Sequence, residues 1–265
     1  MRKFDILPKA FRDYAMELTE MQREWEKTQK RTYRPFWLMI ADNFEMTGSP
    51  VHLSDLTGKM KGIRGMTTSC KGNKFCEKRM KCESLICHEC FADDTLARHF
   101  FAMLWALWNS FVLNYAILPM EWLPDFKGDK EGRIEPLGDQ RSEVQSLNTL
   151  YTIEKNPATS FGWWSKNPWF IRDALHLYGD KPSNMWMIYS VAKKNLVVDE
   201  ETLRRVQRQF PFVDAIFACY EKSWLKENCM DIDHFINCGG RHCQTCENCC
   251  YHKVSRVKVV REIVK

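Results

Sequence analysis

Along residues 8–30 the apolar positions Phe11, Tyr14, Leu18, Met21 and Trp25 recur at steps of three and four, with Arg, Lys and Glu between them. That spacing puts one apolar stripe on an amphipathic helix, and Pro8 suits its first turn. A stripe of this kind ordinarily docks on a core, the other reading being a helix that binds a partner or nucleic acid. The next apolar run, Phe-Trp-Leu-Met-Ile-Ala at 36–41, predicts a first strand, and a stretch with scattered glycines and many lysines follows it. A long helix is expected from Asp93, Asp94 and Thr95, which suit an N-cap and first turn, to about Leu118, where Pro119 stops it. Its apolar part, Phe100 to Trp108, is too short to span a bilayer and gives way to Asn109, Ser110 and Asn114, so a buried helix is predicted.

From there the pattern alternates. Strands are predicted at 133–137, ending at Gly138-Asp139, and at 159–165, 185–189 and 213–219. Helices are predicted at 142–154, at 168–178 with proline in the first turn, and at 199–209 capped by Asp199. A β-branched run at 254–260 suits a terminal strand. Alternation with short connections implies parallel strands covered by helices. The expected fold class is α/β: a partial or open (β/α) barrel with an N-terminal helix and a Cys-rich C-terminal extension. The corresponding division is 1–35 for the helix, 36–230 for the core with a Cys-rich loop at 70–90, and 231–265 for a metal-binding tail.

A formal charge of +5 is mild and does not demand a nucleic-acid partner. The opening Met1-Arg2-Lys3-Phe4-Asp5 lacks a secretory pattern. A soluble, cytoplasmic protein without a membrane partner is expected, in a bacterial or phage-infected cell.

The cysteines change the picture. Ten of the twelve fall at 70–90 and 238–250, leaving only Cys219 and Cys229 outside. Disulfide frameworks belong to small exported domains, whereas clustered thiols in a reducing compartment point to metal. The first group reads Cys70-x5-Cys76-x5-Cys82-x4-Cys87-x2-Cys90, and the second Cys238-x4-Cys243-x2-Cys246-x2-Cys249-Cys250. The pairs Cys87/Cys90 and Cys243/Cys246 have the spacing of zinc knuckles. Three thiols at successive two-residue gaps, Cys243, Cys246 and Cys249, instead resemble the loop that wraps a four-iron cubane. The ligands singled out are Cys76, Cys82, Cys87 and Cys90 in the first group and Cys238, Cys243, Cys246 and Cys249 in the second. They would hold one or two iron–sulfur clusters of the 4Fe-4S type, with zinc as the alternative. His88, His242 and His252 lie beside these runs and are read as bystanders.

A cysteine loop, a long helix and further strand–helix units resemble the organisation of radical S-adenosylmethionine enzymes. More closely, Cys87-His88-Glu89-Cys90-Phe91-Ala92, Leu137-Gly138-Asp139 with Ser142, Phe161-Gly162-Trp163-Trp164-Ser165-Lys166, Ile188-Tyr189-Ser190 and the Cys-rich tail resemble the phage-associated gene product eighty-eight family over roughly residues 36–250. The triplet spacing departs from the radical-enzyme C-x3-C-x2-C, since Cys82, Cys87 and Cys90 follow C-x4-C-x2-C, and no Gly-Gly-Glu strand end is present. The resemblance implies that Cys82, Cys87 and Cys90 each bind one iron and that S-adenosylmethionine is a cofactor. Parallel sheets bind ligands beyond the C-terminal ends of their strands, where Asp139, Lys166 and Ser190 are expected as catalytic candidates and Gly138 with Asp139 as a cofactor-binding pair. Asp139 would hold a ribose hydroxyl or an ammonium, and Lys166 a carboxylate or phosphate. The plainer readings are a turn with a helix cap for Gly138-Asp139 and a solvated Lys166.

The substrate, small or macromolecular, is unspecified. A different class of function is a non-catalytic, metal-stapled protein that binds nucleic acid through the basic loop 59–81 (Lys59, Lys61, Arg64, Lys71, Lys74, Lys78, Arg79, Lys81), with Trp163, Trp164 or Trp169 stacking on bases. No nucleophile elbow, P-loop, dinucleotide fingerprint or His-Glu-x-x-His helix is present.

Overall fold

The computed structural model describes residues 3–228, Cys243 and residues 258–264. The N-terminal stripe forms helix α1 (Lys9–Gln29), whose Phe11, Ala15 and Leu18 are buried. It docks through aromatic contacts: Phe11 meets Trp108 and Phe111 edge-on, Tyr14 stacks on Phe111, and Trp25 stacks on Phe100 at 4.4 Å. Residues 36–41, expected as a strand, instead begin helix α2 (Phe36–Thr47). Pro35 precedes its first turn, Gly48 closes it in the left-handed conformation with an N–H donated to Phe44 O, and Phe36, Ile40 and Phe44 fall on one buried face.

The lysine-rich stretch holds two short strands that periodicity did not reveal, β1 (Leu53–Asp55) and β2 (Arg64–Met66). The first thiol group follows, with helix α3 (Lys74–Met80) inside it. The expected long helix is two, α4 (Phe91–Arg98) and α5 (Phe100–Tyr115), because His99 takes a non-helical conformation between them. The rest alternates: β3 (Glu131–Ile134), α6 (Glu143–Lys155), β4 (Ser160–Ser165), α7 (Pro168–Tyr178), β5 (Met185–Ser190), α8 (Glu200–Gln209), β6 (Ala215–Glu221), α9 (Lys222–Glu227) and β7 (Val259–Val264). Ser142 and Asp199 cap α6 and α8 by accepting Gln145 N–H and Thr202 N–H.

The seven strands form one sheet in chain order, β1 to β7; β1 and β2 are antiparallel and every later pair is parallel. The fold is α/β, with a mostly parallel sheet flanked by helices. Its two faces differ. Phe161, Trp163, Met185, Met187, Ile216, Ala218 and Tyr220 share the main core with helices α1, α2, α5, α6, α7 and α8. Their alternates Trp164, Trp186, Ile188, Phe217 and Cys219 form a second cluster with Ile63 and Val260, which Cys243 also joins. No helix among the described residues is long and apolar enough to cross a membrane. The buried polar residues of α5 and α6 stitch loops instead: Asn109 donates to His52 O and Thr67 O, Ser110 accepts Ser69 N–H, and Asn148 donates to Leu113 O and Ala116 O.

Candidate functional site

A cavity of about 620 Å³ opens on the second face of the sheet and the C-terminal ends of its parallel strands. That is a size ordinary for small-molecule sites. Cys70, Cys76, Cys87 and Cys90 line it together with Gly138, Asp139, Lys166 and Ser190. Cys82 does not. It lies beyond the end of α3, exposed, with its sulfur 3.3 Å from Ser84 Oγ. The fourth thiol at the cavity is therefore Cys70, which spacing alone did not favour. Cys238, Cys246 and Cys249 lie outside the described residues. Cys243 packs against the second cluster on the sheet, and its N–H donates to Lys59 O at 2.7 Å. None of the seven described cysteines is in a disulfide.

The thiol loop is clamped at both ends. Arg141 Nη2 donates to Ser69 O and Lys71 O at 2.7 and 2.6 Å, flanking Cys70. Asn73 caps α3 and donates to Asp139 O. At the far end Ile86 N–H donates to Ala192 O, and Lys194 pairs with Glu89. The thiols are not equivalent. A hydrogen bond from the Cys70 thiol holds the Cys90 pKa below the usual thiol range, helped by the Asp93 and Ala92 N–H groups at the start of α4 and by Lys166. The same hydrogen bond and burial push Cys70 up, and burial pushes Cys76 and Cys87 up, with Lys166 opposing in both. Among the described residues, no three His, Cys, Asp or Glu side chains are grouped so as to hold a metal ion.

Gly138, Asp139, Lys166 and Ser190 all reach the cavity. Asp139 is buried and fully engaged, accepting from Ser165 Oγ and from the N–H groups of Lys166 and Gln140. It ties the β3 loop to the end of β4. Beside it, Glu135 is buried in the left-handed conformation and accepts from Thr68 N–H and Oγ, Gln145 and Gln140. Burial still lifts its pKa to about 7 against the Thr68 and Gln145 donors. The Lys166 ammonium has no hydrogen bond or ion pair among the described residues and faces the thiols.

Sequence reasoning missed Cys219 and Arg133 in the cavity, and Arg141 behind it. Arg133 could have been found as the one cation within β3. In the basic loop, Lys59, Arg64 and Lys71 pair with Glu262, Asp129 and Asp93. Trp163 is buried, Trp164 lies under Arg133, and Trp169 packs on Phe210 beneath Arg172. The tryptophans considered for base stacking are thus already engaged. Comparison with protein-family models, curated proteins and solved structures finds no match to this chain.

Proposed function

We propose that the chain is an iron–sulfur protein with a partial-barrel build like that of radical S-adenosylmethionine enzymes, in which Cys70, Cys76, Cys87 and Cys90 hold one cluster above a substrate cavity. The observation that carries this reading is the convergence of four thiols, from both ends of one clamped loop, on a single cavity at the C-terminal strand ends. Thiolates are soft donors that suit iron–sulfur clusters or zinc, and the preference for a cluster follows the short gaps between the thiols along the chain. When bound, such a cluster supplies single electrons.

The chain's own residues do the rest. Cys90 is held towards the thiolate, while Lys166 and Arg79 oppose the negative charge that ligated thiols would carry. Trp164 and Phe217 make a dry wall beneath. Lys166 and the Gly138-Asp139 turn stand where a cofactor such as S-adenosylmethionine would lie, with Lys166 offering the unengaged polar head. The seven-strand sequential sheet is compatible with an open barrel, and the resemblance to the phage-associated family belongs to the same proposal.

The test is anaerobic purification with iron, sulfide and zinc quantitation and a visible spectrum. Roughly four irons and four sulfides per site, with broad absorption bleached by dithionite, would support the proposal. Stoichiometric zinc without sulfide would overturn it.

A further inference from the structure

Every carboxylate lining the cavity already has a partner. Glu89 pairs with Lys194, Glu262 with Lys59 at 3.2 Å, and Glu135 and Asp139 accept the donors named above. The cations divide differently. Lys166 and Arg79 are among the charges acting on the thiols, whereas Arg133 is not among the principal ones for any of the four.

Arg133 projects from the middle of β3 to the cavity side of the sheet and is only 8% exposed. Its guanidinium carbon lies 4.4 Å from the Trp164 ring centre, and Phe217 backs that ring at 4.6 Å. Its Nε is buried without a hydrogen bond. No ion pair or hydrogen bond to the guanidinium occurs among the described residues. Its register partners on the flanking strands are Gly65 and Gly162, which put no side chain beside it. A buried cation without a counter-charge is costly, and the energetic sense of this arrangement is an anion that arrives from outside. A guanidinium seated over an aromatic ring can offer the planar fork that pairs with two oxygens at once.

We infer that the floor of the cavity is an oxyanion-binding subsite, in which Arg133 on its Trp164 wall receives the carboxylate or phosphate group of the substrate. The inference deepens the reading of the cavity as a substrate site and rests on it, but Arg133 is separate from the thiols, so the two can fail independently.

The experiment is isothermal titration of the full chain, kept anaerobic and at constant ionic strength, with benzoate and with phenyl phosphate. Iron and sulfide are measured on the same samples, so the cluster is judged apart from the anion. At least one probe is expected to bind at a single site, its identity telling a carboxylate from a phosphate substrate. Arg133→Gln should weaken that binding at least about tenfold, as expected for loss of a charge-assisted hydrogen-bonded pair. Arg133→Lys, which keeps the charge and guards against a folding defect, should fall between the two because an ammonium cannot make the forked contact. The far-ultraviolet circular dichroism and metal content of both variants should match those of the parent. Binding of neither probe to the parent chain, or equal affinity in the variants, overturns the inference.

Discussion

At Gly138 the chain passes so close beneath Thr68 that a β-carbon would stand 2.6 Å from the Thr68 carbonyl oxygen and 2.6 Å from Glu135 Oε2. One of those atoms is backbone and the other belongs to a fully buried carboxylate, so neither can swing away. Gly138→Ala should therefore lower stability by about 1–3 kcal/mol, measured by urea unfolding, and disturb Asp139 next to it. Glu135 adds a pH dependence. Its pKa is lifted to about 7, first by burial, against a usual value of 4.5, with Asp139 raising it further and Thr68 and Gln145 lowering it; Arg141 is the nearby cation. Between those two values the native state holds a proton that the unfolded chain releases, so this contribution is complete below about pH 4.5 and is lost as pH rises through 7. The stability advantage of the parent over Glu135→Gln should shrink by on the order of 3 kcal/mol from pH 4.5 to 8. A pH-independent difference would refute the assignment. Neither residue announced this role. The sequence shows Gly-Asp after a strand, which reads as a turn, whereas the close approach of Thr68 comes from a segment seventy positions earlier.

Elements were more legible than residues where one face of the pattern is polar. Helices α1, α6, α7 and α8 lie within a residue or so of their sequence bounds, because stripes, Ser142, Pro168 and Asp199 mark them. Strands β4, β5 and β6 were visible as short apolar runs. α2 was not, since six consecutive apolar residues fit a buried strand and a buried helix equally well; the bracket of Pro35 and Gly48 was the overlooked signal. β1 and β2 are too short for periodicity to show. The docking of α1 has a measurable consequence. Phe11 is buried among Trp108, Phe111, Tyr115 and Trp122. Phe11→Ala should destabilise the whole protein by about 3–5 kcal/mol in a single cooperative denaturation. A helix that merely rests on the core would instead melt separately, leaving the main transition unmoved.

For the molecule as a whole, spacing along the chain located the thiol-rich loop and placed Asp139, Lys166 and Ser190 at strand ends, but among the five cysteines it took Cys82 rather than Cys70, whereas the fold chooses Cys70 for the cavity. That choice depends on α3 turning Cys76 to the cavity and leaving Cys82 past its end, and on Arg141 reaching from beyond β3 to hold the backbone around Cys70. The expected pattern of variants is correspondingly specific. If the proposed cluster is present, Cys82→Ser should retain the iron and sulfide bound at this loop, whereas Cys70→Ser, Cys76→Ser, Cys87→Ser and Cys90→Ser should each lose most of it. Loss in Cys82→Ser with retention in Cys70→Ser would return the site to the triplet that spacing suggested. The order of the strands bears on how the protein is made. From β2 to β6 each parallel strand pairs with the one synthesised just before it, so the sheet can be laid down as the chain leaves the ribosome. The outer rim of β6 stays unsatisfied until residues 259–264 emerge and β7 covers it. A chain truncated near residue 250 would thus expose the apolar edge of β6 as a template for aggregation, while in the full chain the outermost strand is β7, whose Arg261 and Glu262 make a less adhesive edge, and chaperone capture of the two forms should differ accordingly.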